Sequence, residues 1–264
     1  MATSRNNSIR TKLIITFLII CLPYTVSSQK NDSTIARSYY FGGAVTIQSK
    51  GISTIPNLTL GKPAAVFDMK VGRKLTFEPQ FRFALDGKPW AMVFWWKYNA
   101  QISNKLRLVF TTNYTLSYKA MTYYTSTGTS QEIIRTTRYL AGGLEPNYQV
   151  NKYLGIGVYL FYTYGIEEFI TKNTYMVSFR PGISNIPVAK NTTARITPEV
   201  YYLKMDDNEG FYLNARLSVS NRNFPVSLSA LVNKPLESNI PSEYDLLWHV
   251  ALTYAFGGNY KKAP

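Results

Sequence analysis

Strict alternation of apolar and polar residues, repeated along the chain, confines this sequence to strands with two unlike faces. Lys105 to Tyr118 shows it most clearly. Its even positions carry Leu106, Leu108, Phe110, Tyr114, Leu116 and Tyr118; its odd positions carry Lys105, Arg107, Thr111, Asn113, Thr115 and Ser117. In the same way Trp90, Met92, Phe94, Trp96 and Tyr98 alternate with Ala91, Val93, Trp95, Lys97 and Asn99. Near the end, Leu246, Trp248, Val250, Leu252, Tyr254 and Phe256 oppose His249, Ala251, Thr253, Ala255 and Gly257. About twelve such segments are expected, at 40–48, 63–71, 74–85, 88–98, 105–118, 132–148, 153–164, 173–182, 193–204, 210–220, 224–232 and 245–257. Each approaches the ~9–11 residues a tilted strand needs to cross a bilayer.

The connections carry the same message. With the first strand running outward, most long connections fall on one side: Ser49 to Lys62, Met121 to Gln131, Gly165 to Lys172, Met205 to Gly210 and Asn233 to Tyr244. Short turns such as Val71-Gly72-Arg73-Lys74 and Gln149-Val150-Asn151-Lys152 fall on the other. The brief Asp86-Gly87-Lys88 turn and the longer Ile183 to Asn191 stretch break the pattern.

The amino terminus reads as an export signal. Arg5, Arg10 and Lys12 precede the apolar run Leu13 to Leu22, and small residues follow at Val26-Ser27-Ser28. That layout predicts cleavage after Ser28, and ten apolar residues are too few for a helical span. The one cysteine, Cys21, falls in this run, so a mature chain from Gln29 has no thiol and no disulfide. Of 29 Lys and Arg, the signal removes three and no acids, leaving 26 against 15 Asp and Glu, or +11. The expected division is 1–28 signal peptide, 29–39 periplasmic segment, 40–257 transmembrane barrel and 258–264 tail.

Alternation does not say which face is inside, because a soluble secreted β-protein alternates too. Three features point the apolar face at lipid. Tyr98, Tyr118, Tyr148, Tyr164 and Trp248 gather near the ends of apolar faces, as interface girdles do. Gly155, Gly157 and Gly165 lie on the other face, where a soluble core gains nothing from small residues. Third, His249-Val250-Ala251-Leu252-Thr253-Tyr254-Ala255-Phe256 resembles the terminal targeting signal of Gram-negative outer-membrane β-barrels, although Ala251 replaces its glycine and eight residues follow Phe256. The resemblance implies an all-β, single antiparallel up-and-down barrel with no free edge, placed by the barrel-assembly machinery among outer-membrane lipids and lipopolysaccharide. His249, Ala251, Tyr254 and Phe256 are the residues that carry it.

Some residues fit this scheme poorly. Pro79 and Pro198 fall inside expected strands, where proline removes a ladder hydrogen bond, so a bulge is expected there. Arg138 falls on the apolar face, which requires a bulge or a position above the membrane.

With the apolar face outward, the interior receives Lys70, Lys74, Arg82, Lys97, Lys105, Arg107, Arg135, Arg180, Arg195 and Arg216 against Asp68, Glu78, Glu145 and Glu199. Ten basic groups against four acidic ones leave +6. Two readings follow. The charges form an ion-pair lattice that fills a structural barrel, or they line a narrow pore that prefers small anionic solutes. Arg82, Lys97, Arg107, Arg195 and Arg216, partly paired with Glu78 and Glu199, are the expected selectivity residues. A lipid hydrolase is the enzymatic alternative, and His249 is the only histidine available to it. No nucleophile elbow, phosphate loop or metal-ligand cluster appears, so no enzyme and no cofactor is expected. The basic residues are dispersed rather than gathered into one patch, which argues against nucleic acid.

Overall fold

The computed structural model describes residues 38–124 and 130–261. The expected signal peptide, its cleavage site and Cys21 lie outside the described residues. Twelve strands follow in chain order: β1 (Ser38–Gln48), β2 (Ala64–Gly72), β3 (Leu75–Ala84), β4 (Pro89–Gln101), β5 (Leu106–Tyr124), β6 (Ser130–Gln149), β7 (Leu154–Gly165), β8 (Asn173–Ala189), β9 (Thr192–Met205), β10 (Asn208–Asn221), β11 (Val226–Ser238) and β12 (Leu247–Lys261). Each pairs antiparallel with its sequence neighbours, and β1 pairs with β12 to close the barrel. Closure satisfies every edge, which a span in hydrocarbon requires.

The faces follow the alternation. Phe110 and Trp248 point outward with 46% and 53% of their surface exposed, alongside Phe41, Phe67, Trp96, Leu160, Val177 and Leu252. A continuous apolar belt on this scale is costly in water and costless against lipid tails. The belt and the closed topology make this a transmembrane barrel of the outer-membrane type. The inner face mixes polar residues, with Gln48, Asn113, Thr163, Ser178, Asn214 and Asn233 buried there, and large ones such as Trp90, Tyr159, Tyr201 and Leu203.

The seam between β1 and β12 rests on a glycine pair. Gly42 faces Gly257, and a Cβ on Gly42 would meet the Phe256 carbonyl oxygen at 2.6 Å. Gly257 also holds φ at +148°, which side chains disfavour. β12 continues past residue 257 to Lys261, paired with Ser38, so the expected tail is largely strand.

The prolines behave differently from expectation. Pairing between β2 and β3 lapses after Asp68–Gln80 and resumes at Val71–Phe77 in the same register, so Pro79 interrupts the ladder without a bulge. Likewise the β8–β9 ladder lapses between Phe179–Val200 and Ile183–Ile196 around Pro198, with no shift. A register shift occurs instead at Arg82/Phe83, where Arg82 faces Ala91 and Phe83 faces Pro89. The extra residue is Trp90. By parity it belongs with Met92 and Phe94 on the lipid face; the bulge turns it inward, to 3% exposure.

The long Ile183 to Asn191 connection largely vanishes, because β8 runs to Ala189 and the turn is Lys190-Asn191, with Asn191 at φ 60°. β5 and β6 outrun their neighbours: β4 pairs only as far as Ser117 and β7 only as far as Tyr139. Of the expected Met121 to Gln131 loop, residues 121–124 and 130–131 therefore belong to strands that project beyond their neighbours.

Candidate functional site: a charged lumen crossed by an inward loop

Residues two apart on a strand share a face, and this spacing assembles two charged clusters on opposite walls. On β3, Thr76, Glu78, Gln80 and Arg82 all point inward. Glu78 accepts Lys70 Nζ at 2.7 Å, Lys97 Nζ at 2.6 Å and the Thr76 hydroxyl at 2.8 Å. The Gln80 amide donates to Asp68, and its carbonyl oxygen accepts Arg82 Nε at 2.6 Å. Arg82 then lies 5.0 Å from the centre of the Trp90 ring.

Six strands round the barrel, Glu199 on β9 is only 7% exposed. It accepts Arg180 Nε at 2.6 Å, the Ser178 hydroxyl at 2.5 Å and Asn214 Nδ2 at 3.0 Å. Arg180 also lies 3.8 Å from Glu145 and stacks 4.6 Å from the Tyr159 ring. A carboxylate on this wall is therefore surrounded by donors, which is how buried charge is made tolerable.

An aromatic band joins the walls. Lys97 sits 5.5 Å over Trp95, Trp95 lies 6.2 Å from Phe161, and Phe161 stacks on Tyr159 at 5.3 Å. β4 and β7 do not pair, so the Trp95–Phe161 contact narrows the lumen.

Above this band, the connection between β1 and β2 runs into the barrel. It was expected as an outer loop. Residues 49–63 instead close on themselves through Gly51 N to Lys62 O at 2.7 Å and Leu60 N to Gly51 O at 3.0 Å, with a single 3-10 turn at Pro56–Leu58. The inward Trp90 on β4 donates its indole N–H to Leu58 O at 2.9 Å. On β9, Tyr201 donates its hydroxyl to Thr54 O at 3.2 Å and accepts Asn233 Nδ2 at 2.8 Å. Leu60 packs on Ala64, Val66, Trp90, Ala91 and Val93, while Ile55 packs among Tyr159, Met176, Tyr201, Leu203, Tyr212 and Ile240. Ile240 belongs to the last outer loop, which turns inward as well. The loop spans the lumen from wall to wall.

Cavities flank the loop. One of about 300 Å³, on the periplasmic side of the loop, is lined by Tyr40, Asp68, Lys70, Glu78, Trp95 and Lys97 among others. One of about 210 Å³ lies between the loop and the last outer connection, against Pro56, Tyr212, Asn233, Ile240 and Tyr244.

Of the expected selectivity residues, Arg82, Lys97, Glu78 and Glu199 fall within these clusters. Arg107, Arg195 and Arg216 occupy inner-face positions on β5, β9 and β10, and among the described residues they form no ion pair. Three other expectations need correction. Lys74 and Lys105 lie in turns, and Arg135 faces Lys119 on the projecting hairpin rather than the lumen. Of the ten bases expected inside, Lys70, Arg82, Lys97, Arg107, Arg180, Arg195 and Arg216 remain at inner-face positions of the strands. Arg138 stands at the outer rim, unbulged, bonded to Glu167 of the β7–β8 connection at 2.6 Å.

His249 and Ala251 of the terminal motif point inward and are buried; Tyr254 and Phe256 point outward. His249 Nδ1 lies 3.0 Å from Lys50 O, so the inward loop, not a serine or acid, holds the imidazole. Trp90 and Tyr201 carry the loop, and neither stood out in the sequence. The available signal was four apolar residues, Ile52, Ile55, Leu58 and Leu60, in a supposedly wet loop.

No protein-family model matches the chain, and no curated protein matches it. Among solved structures, the KdgM porin in complex with disordered oligogalacturonate aligns with a TM-score of 0.50 at 10% identity, covering 82% of this chain and 99% of that one. The NanC porin aligns at 8% identity over 84% of this chain and 100% of that one, with a TM-score of 0.45. At these identities the likeness extends to the barrel fold alone.

Proposed function

We propose that the protein is a narrow outer-membrane channel that favours small anionic solutes and is closed, in the conformation described above, by residues 49–62. The observation that carries this reading is an imbalance of satisfaction. Glu78, Glu145 and Glu199 each lie against a base and Asp68 is held by Gln80, whereas Arg107, Arg195 and Arg216 have no carboxylate within 4 Å among the described residues. The unneutralised charge of the wall is thus positive, and in a confined lumen that favours anions. The porin solved with oligogalacturonate, an anionic oligosaccharide, supports the same reading.

Other parts of the chain have roles in this picture. The outward Tyr254 and Phe256 offer the aromatic end of a targeting signal to the assembly machinery. Lys119 and Arg135, on the projecting hairpin, suit lipopolysaccharide phosphates. Arg82 and Lys97, tied into the clusters, shape the path while the unpaired arginines set its sign.

The test is a reversal potential across a salt gradient in planar bilayers. Arg107→Glu with Arg216→Glu should move it toward cation preference; an unchanged potential overturns the anion reading. A purely structural barrel is the second reading, favoured by the loop that crosses the lumen. It predicts no conductance even when that loop is shortened.

A further inference from the structure

His249 is held where the inward loop leaves the wall. Its Nδ1 lies 3.0 Å from Lys50 O, and a carbonyl only accepts, so Nδ1 carries the proton. Next to it, Ser49 N donates to Val250 O at 2.9 Å and Val250 N donates to the Ser49 hydroxyl at 3.1 Å. The root of the loop is therefore fastened to residues 249 and 250 of β12. The residue is 4% exposed, and its other nitrogen, Nε2, is buried with no hydrogen-bond partner among the described residues.

We infer that His249 is an acid-released latch for the loop, so that protons open the channel from the periplasm-to-exterior path it now blocks. This rests on the channel reading above. A neutral ring fits the site better than a charged one: one N–H donates to Lys50 O, and the unpaired Nε2 costs only the desolvation of a neutral acceptor. A second proton creates a buried N–H with no acceptor among the described residues and a buried positive charge, both of which are costly.

The Lys50 carbonyl already bonded to Nδ1 favours the charged ring, but among the described residues no carboxylate joins it. On β11 the facing residue is Leu231, and beyond it on β10 stands Arg216, a like charge. From β1, Gln48 faces Ala251, and in the loop the Lys50 ammonium lies 5.0 Å over the Tyr244 ring of the last outer connection. Asp245 follows Tyr244 in that connection and is exposed, and Glu199, on β9, is already engaged by Arg180, Ser178 and Asn214. An imidazolium gains only by leaving, taking Lys50 and the loop root with it. A wetted imidazole titrates near pH ~6.5, so opening should rise as pH falls below that value.

The experiment is open probability in planar bilayers between pH 8 and pH 5. The natural protein should open roughly tenfold more often at pH 5 than at pH 8. His249→Gln, which keeps an N–H for Lys50 O and cannot gain a proton, should remain closed and lose the pH response. A pH response that persists in His249→Gln, or none in the natural protein, overturns the latch. A variant with residues 52–60 replaced by two glycines separates the two claims. If it conducts at every pH while the natural protein ignores pH, the latch is wrong and the channel stands. If it never conducts, the channel reading falls first.

Discussion

Tyr201 and Thr54 are 147 residues apart in sequence, yet the Tyr201 hydroxyl donates to the Thr54 carbonyl oxygen at 3.2 Å inside the barrel. That bond and its counterpart from Trp90 to Leu58 anchor one loop to two walls five strands apart. Both donors are aromatic side chains stacked in place, Tyr201 on Tyr212 at 4.9 Å and Trp90 under Arg82 at 5.0 Å. The loop is held by directional bonds from rigid groups, which satisfy its Thr54 and Leu58 carbonyls inside the lumen.

Removing either anchor should loosen the plug. Tyr201→Phe deletes the bond to Thr54 and leaves Asn233 without its acceptor, a loss of about 1–3 kcal/mol to the closed state. Single-channel recording should show open events roughly tenfold more frequent in Tyr201→Phe, and Trp90→Phe should act in the same direction. Unchanged gating in both variants would mean the anchors do not matter.

Glu78 sits between two ammonium groups, so its removal has a defined electrostatic effect. Glu78→Gln leaves Lys70 and Lys97 without their shared carboxylate, adding one positive charge to the inner cavity. Anion selectivity should rise, read as a larger reversal potential in the same salt gradient. A shift toward cations would contradict the placement of this cluster on the permeation path.

At the outer rim, Glu167 provides a pH-dependent clasp. Burial pulls its carboxyl upward, but the bonds from the Arg138 guanidinium and backbone N–H, at 2.6 and 2.7 Å, outweigh that and hold it below the usual carboxylate range. A depressed carboxylate contributes fully above its unfolded value, near pH ~4.3, and its contribution is lost as pH falls through the lower folded value. Hydrogen exchange at the Arg138 amide should therefore show extra protection at neutral pH that Glu167→Gln abolishes, while unfolding temperature barely moves for so exposed a pair.

The barrel seam should be intolerant of side chains. Gly257→Ala places a Cβ about 2.7 Å from the Gly42 Cα at a backbone angle that alanine disfavours. The expected loss is about 1–3 kcal/mol of strain, before the steric clash is added. It should appear as incomplete refolding, measured by gel mobility with and without boiling. Gly87→Ala is the control: it also has positive φ, but an added Cβ there meets nothing within 4 Å.

Much of the wall was legible because parity is a local property. Once Phe110 and Trp96 were assigned to lipid, Asn113, Lys97 and Glu78 had to face inward. Trp90 escaped because a one-residue bulge reverses parity, and nothing in Pro89-Trp90-Ala91 marks where the extra residue falls. The plug escaped for a different reason. Whether Ile55 lies in water or against Leu203 depends on contacts between residues 49–62 and strands more than a hundred residues away. Arg135 was misplaced because strand length decides whether an inward residue still has walls around it, and β5 and β6 continue beyond theirs.

The central claim is that residues 49–62 close a lumen that is otherwise open. Conductance of the refolded protein in planar bilayers, with residues 52–60 replaced by two glycines across the Gly51–Lys62 bond, tests it most directly. The account predicts rare openings in the natural protein and sustained, anion-preferring conductance in the shortened one. Equal silence from both, with both barrels folded by gel mobility, would contradict it.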